Sequence, residues 1–343
     1  MRKTIFIVCL LCVWLWTPVV ASYADEDVLF YQDRITTAEG LAHYCLGYMY
    51  DLLGKEKDAV IEYKAAAEAD RECYLIHLRL ATDYIRLGKL DDAVLELKLV
   101  SKYKPSDLNS HYLLALIFSS RKEYGKAADE YEIILRSLSK ENPKNIEIYG
   151  YLAQLYYSQK KYDKAIKQFE KMIELDPKNA NVMYLLGSIY LELGRKKEAV
   201  DILKKAIKID PNNDGSLNTL AYIYAEEGQR LDEALDFATR ALVIDPDNGA
   251  YLDSLGWVYY KKGMYKKALE ILKRANKRLR DPIISEHLGD VYYKLNRIDE
   301  ALKYWQGSLE LLPGQTEVIR KINSVKNAQV KKTENAPTTT TVP

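Results

Sequence analysis

Three histidines, His43, His77 and His111, recur every 34 residues in this 343-residue chain. Imidazoles in register can share a metal ion, relay protons or lie as flat fillers between helices. A shared metal needs all three nitrogens within about 2.0–2.1 Å of one ion, whereas helices pack about 8–10 Å apart, so three stacked positions seldom converge. The expectation is therefore aromatic filling with a polar cap, and no metal. Nothing else gathers into a reactive group. There is no Gly-x-Gly-x-x-Gly loop, no phosphate loop ending Gly-Lys-Ser/Thr, no His-Glu-x-x-His and, beyond residue 24, no Cys-x-x-Cys-His. Carboxylates alternate with lysines along helix faces, the pattern of solvated surface. Cys45 and Cys73 are the only thiols beyond residue 24, which leaves open one bridge or two small buried apolar side chains and excludes a four-cysteine zinc cluster. No catalytic residue and no cofactor is expected.

Composition sets the class. With 48% apolar and 29% charged residues the chain suits an ordered, soluble fold, and 50 basic against 49 acidic side chains give no long-range pull toward nucleic acid. Arg2 and Lys3 precede an uncharged run from Ile5 to Trp16, followed by Ser22-Tyr23-Ala24 and then acids. That order is a secretory signal, cleaved after Ala24, and it predicts export to a periplasmic or equivalent space. The alternative is an anchor kept across Thr4 to Ala21.

The elements that would position any site follow from a second spacing. Small residues after leucine stand at Gly47, Ala81, Ala115, Ala153, Gly187, Ala221, Gly256 and Gly289, separated by 34, 34, 38, 34, 34, 35 and 33 residues. An alanine follows each, from Ala59 and Ala93 to Ala268 and Ala301, twelve residues on in every case but one. Prolines close many units, at Pro105, Pro177, Pro211, Pro246 and Pro313. Such a period is the mark of stacked supersecondary units. Each reads as two helices, the first stopped by Gly54, Gly88, Gly194, Gly228, Gly263 or Asn296 and the second opened by acids such as Asp58, Asp92, Asp163 and Glu198. Gly or Ala at the crossing lets two backbones approach.

Leu186-Gly187, Tyr190, Ala199, Ala206 and Pro211, like Leu152-Ala153, Tyr156, Ala165, Phe169 and Pro177, resemble the tetratricopeptide repeat pattern. The resemblance runs from about Thr37 to Pro313 and implies an all-α solenoid of about eight helix-turn-helix repeats in a right-handed superhelix. Departures are the extra residues before Pro143, one near Gln229, and a closing proline absent from the first unit and displaced to Pro282 in the seventh. The expected organisation is a signal at 1–24, a lead-in at 25–36, repeats over 37–314, a capping helix at 315–331 begun by Thr316, and a disordered tail at 332–343. Lys321, Lys326 and Lys331 are expected to solvate the last hairpin.

In that family the first helices line the concave side. Counting from each small residue carries its inward positions onto Tyr44, Tyr48, Arg86, Tyr112, Gln154, Tyr157, Tyr184, Asn218, Tyr222, Asp253, Trp257, Tyr260, Asp290 and Tyr293. The implied function is an exported scaffold gripping a protein or peptide segment in a tyrosine-rich groove, in assembly of an envelope complex. The alternative is a polysaccharide-binding module of an export system, because Tyr and Trp suit sugar faces. Tyrosine is also a general filler here, with 28 in the chain. The lysine and asparagine clamp by which relatives hold an acidic chaperone C-terminus is not met. Nucleic acid and a membrane span after signal cleavage are not expected.

Overall fold

The computed structural model describes Ile35 and residues 37–334, and among them the regular structure is helical with no strand. The expected signal, most of the lead-in and the last nine tail residues lie outside the described residues. No helix among the described residues is long and apolar enough to cross a membrane.

The helices are α1 (Ala38–Leu52), α2 (Glu56–Ala69), α3 (Tyr74–Arg86), α4 (Leu90–Tyr103), α5 (Leu108–Ser120), α6 (Tyr124–Glu141), α7 (Ile146–Ser158), α8 (Tyr162–Leu175) and α9 (Ala180–Glu192). They continue as α10 (Lys196–Ile209), α11 (Asp214–Glu227), α12 (Leu231–Ile244), α13 (Gly249–Lys261), α14 (Tyr265–Arg278), α15 (Pro282–Lys294), α16 (Ile298–Leu311) and α17 (Thr316–Glu334). Odd-numbered helices up to α15 are the first of each expected pair and even-numbered ones the second. The result is an all-α solenoid of helical hairpins. Contacts divide the chain into two compact units, ending at Lys171 and beginning at Met172.

In the N-terminal unit α1 packs on α2, α3 on α4 and α5 on α6, and each second helix packs on the first helix that follows. Gly47 shows why the crossing residue is small: a Cβ there would stand 2.8 Å from the Tyr63 ring. The extra residues before Pro143 are absorbed by α6, which runs for 18 residues where α2 and α4 have 14. In the C-terminal unit α9 packs on α10, α11 on α12, α13 on α14 and α15 on α16. Here a Cβ at Gly256 would meet Leu272 at 2.6 Å, and one at Gly289 would collide with the Trp305 ring. The alanines of the second helices, among them Ala199, Ala234, Ala268 and Ala301, are wholly buried.

The stop positions behave as expected, with Gly228 at φ 65° and Asn296 at φ 58° in the left-handed region. Lys122, Lys160 and Arg230 also adopt it, at φ 62°, 58° and 50°. Lys122 and Lys160 stand where their hairpins have no glycine stop, whereas Arg230 follows Gly228 in the one turn that is a residue longer, and each side chain carries a left-handed strain of roughly 1–2 kcal/mol. First helices begin on a signal the proline spacing concealed. Asp107, Asn145, Asn179, Asn213 and Asn248, each two residues past a proline, accept a hydrogen bond from their own helix's first turn. Pro282 closes nothing; it is the first residue of α15, where a missing N–H costs no bond.

The capping helix differs in detail from expectation. Gln315, not Thr316, stands at its entry, accepting from the Ile319 N–H at 3.0 Å while its side-chain amide donates to Ser308 and Leu312 carbonyls. Its last turn reaches Glu334, past the boundary drawn at residue 331. Val318, Ile322 and Val325 are buried against the last hairpin. Cys45 is exposed and Cys73 buried, and no bridge joins them, which corrects the pairing of two small buried thiols.

Candidate functional site

The periodic histidines face inward across their own hairpins. His43 Nδ1 lies 2.7 Å from Glu62, His77 Nδ1 2.7 Å from Glu96 and His111 Nδ1 2.6 Å from Glu130, always 19 residues apart. Each imidazole thus has its own carboxylate, and no group of three or more ligand side chains among the described residues could hold a metal. The partner glutamates were not picked out in sequence, although their own spacing of 34 is the trace of the pairing. His77 is held further, its Nε2 lying 2.8 Å from the Arg71 carbonyl. Burial opposes its charge, but the hydrogen bonds it donates to Glu96 and the Arg71 carbonyl outweigh that and raise its pKa.

The expected groove positions of the N-terminal unit meet on α1 and α3. Arg79 Nε donates to the Tyr44 hydroxyl at 3.5 Å, and the guanidinium stands 5.1 Å from the Tyr48 ring centroid. Tyr63 donates to Asp51 at 2.8 Å, and Arg86 bridges Asp51 at 3.3 Å and Asp83 at 3.2 Å. Asp83 is fully buried and one of its oxygens accepts no hydrogen bond. Burial, then the neighbouring Asp51 carboxylate, push its pKa well above the usual carboxylate range against the pull of Arg86 and Arg79. Tyr112 and Gln154 are half-buried. Tyr157 is exposed and meets Tyr162 edge-on at 5.7 Å.

In the C-terminal unit α11, α13 and α15 contact one another and bring together Tyr222, Asp253, Trp257, Tyr260 and Asp290. The Trp257 ring stacks on His287 at 3.8 Å and on Tyr260 at 4.6 Å, and its indole N–H donates to Glu226. His287 Nδ1 lies 2.9 Å from Asp253. Asp290 accepts from the Trp305 indole at 2.9 Å and from Lys321 at 2.7 and 2.8 Å, and Lys321 also donates to Glu286 at 2.7 Å. Lys321 is therefore turned inward, a correction to its expected role as a solvating lysine. Burial raises the Asp290 pKa against the pull of Lys321. Tyr222 is pushed up first by burial, then by the charges of Glu226, Asp253, Glu286 and Asp281, and its ring centroid lies 6.5 Å from that of His287. Burial, then Asp290, push the Tyr260 hydroxyl up to about 12. Asn218 keeps a buried carbonyl oxygen with no hydrogen bond, Tyr184 packs over Gly215, and Tyr293 is exposed.

One arrangement occurs three times. A basic residue two positions before the small residue of one first helix touches the residues three before and one after the small residue of the preceding first helix. Arg79 meets Tyr44 and Tyr48, His287 meets Asp253 and Trp257, and Lys321, 34 residues beyond His287, meets Glu286 and Asp290. Five of the fourteen positions expected to face inward are thereby engaged by the chain itself. Counting within one unit cannot detect this, because the partner belongs to the next unit.

Profiles of the tetratricopeptide repeat match residues 78–145 and 157–221, and a profile of anaphase-promoting complex (cyclosome) subunit 3 matches 227–307. Curated protein sequences give no match. Solved structures with a similar fold include a thermophilic TPR protein from Thermus thermophilus, 26% identical over 50% of this chain and 94% of that one, with a TM-score of 0.42. A tetratricopeptide repeat protein from Parabacteroides merdae is 15% identical over 73% of this chain and 97% of that one, with a TM-score of 0.48. MamA from Desulfovibrio magneticus is 17% identical over 50% of this chain and 96% of that one, with a TM-score of 0.43.

Proposed function

Because the chain is a tetratricopeptide repeat protein, we propose that it is a non-catalytic interaction scaffold whose α11, α13 and α15 face holds an extended, basic segment of a partner protein. The observation that carries this reading is the row of carboxylates that hold cations on this face, Asp253 at 2.9 Å from His287 and Glu286 and Asp290 at 2.7 Å from Lys321, with half-buried aromatic rings beside them. His287 and Lys321 already occupy two acid-lined slots of this face, so a lysine or arginine of a partner matches its chemistry. Aromatic rings add contact area at small entropy cost. A protein is favoured over a polysaccharide because Trp257, the ring best suited to a sugar face, is buried against His287 and Tyr260. The basic, apolar and small-residue order of the N-terminus supports export, which would put the scaffold in the periplasm, serving assembly of an envelope complex.

Arrays of extended peptides and of glycans test this directly. Basic peptides are expected to bind, and Glu226→Gln with Glu286→Gln to weaken that binding about tenfold without altering helical content. Binding confined to acidic peptides would overturn the charge assignment, and binding confined to glycans would replace the protein reading by the saccharide one.

A further inference from the structure

We propose that the chain forms a two-fold dimer through the outer face of α1, with Cys45 at the axis. The side chains of Leu41, Cys45, Leu46, Met49, Leu52 and Leu53 recur three or four residues apart and cover an arc of about 140° with no charge, the stripe of a helix that packs on another helix. The five larger ones are 43–70% exposed. The same register elsewhere is buried. Leu46 is 43% exposed, whereas its seven leucine counterparts from Leu80 to Leu288 are 0–7% exposed; Met49 is 60% exposed against 0–5% for Asp83 through Val291. In later hairpins that register receives the preceding second helix, as where α2 packs on α3 and α12 on α13. At the other end α17 covers the last hairpin with Val318, Ile322 and Val325.

A second copy of α1 fits the face left bare among the described residues better than the sequence preceding it does. Residues 25–34 carry their apolar side chains as one run, Val28 to Tyr31, behind three acids. Such a run winds around a helix and presents no stripe, whereas α1 matches its own stripe under a two-fold rotation. Cys45 is the middle residue of Ala38–Leu52, so antiparallel copies cross there. Two such faces bury on the order of 1,000 Å², the lower bound for a specific interface.

Sedimentation of the chain as the cell processes it is expected to give a dimer at micromolar concentration. Leu46→Glu with Met49→Glu should convert it to a monomer of unchanged helical content. Brief diamide oxidation should give a covalent dimer that Cys45→Ser abolishes. A monomeric native chain overturns the proposal, as does a dimer that survives the double substitution. A monomer whose Cys45 resists alkylation would mean that another part of the same chain covers α1, and overturns it equally.

Discussion

His77 ties the chain's most regular polar spacing to a measurable quantity. Both ring nitrogens sit at hydrogen-bonding distance from acceptors, Glu96 and the Arg71 carbonyl, and only the imidazolium can donate to both. Its folded pKa is raised, so the folded state binds the proton more tightly than the unfolded chain. The stabilisation is therefore complete below the unfolded value of about 6.5 and is lost as pH rises through the higher folded value. His77→Phe keeps the ring volume and removes the charge. We expect the native chain to exceed the variant by about 1 kcal/mol in urea denaturation at pH 5.5 and by far less at pH 9. A gap independent of pH would show that the ring acts through packing alone.

At the scale of elements, the hairpin is governed by how closely its two helices approach. Gly187 on α9 has no room for a Cβ, which would lie 2.8 Å from Leu203 of α10, and Ala199 on α10 is wholly buried. Ala199→Phe must push the pair apart, at a cost of about 1–3 kcal/mol. Broadened, earlier thermal unfolding is the expected result, and an unchanged transition would place Ala199 away from the crossing. Helix ends follow equally local rules, because an asparagine two residues past a proline, or a glycine after a helix, needs no distant partner. That is why the stops at the glycines and Asn296 could be read from sequence, whereas the asparagine caps, equally local, were passed over for the prolines before them. The left-handed residues Lys122, Lys160 and Arg230 escaped because their side-chain types do not favour that conformation and so carry no signal of it.

For the molecule as a whole, stacked repeats make stability a sum of hairpin terms and nearest-neighbour terms. Deleting residues 315–343 removes the burial of Val318, Ile322 and Val325 and the Lys321 bonds to Glu286 and Asp290. Each of those apolar side chains contributes roughly 1.5–3 kcal/mol. Hydrogen exchange is expected to accelerate strongly in α15 and α16 and little in α9 and α10; equal acceleration in both would contradict nearest-neighbour stacking. The sequence by itself determined the all-helical class, the hairpin period, the small crossing residues and most stops, since each depends on side-chain size or backbone preference repeated at constant stride. It also contains no Gly-x-Gly-x-x-Gly loop, no phosphate loop ending Gly-Lys-Ser/Thr and no His-Glu-x-x-His. Only tertiary structure decided which of the positions expected to face inward are taken up by the chain itself. Arg79, His287 and Lys321 reach back onto the preceding helix, Trp257 is stacked away from solvent, and Leu46 is left bare, because those outcomes depend on what the neighbouring hairpin does or does not supply.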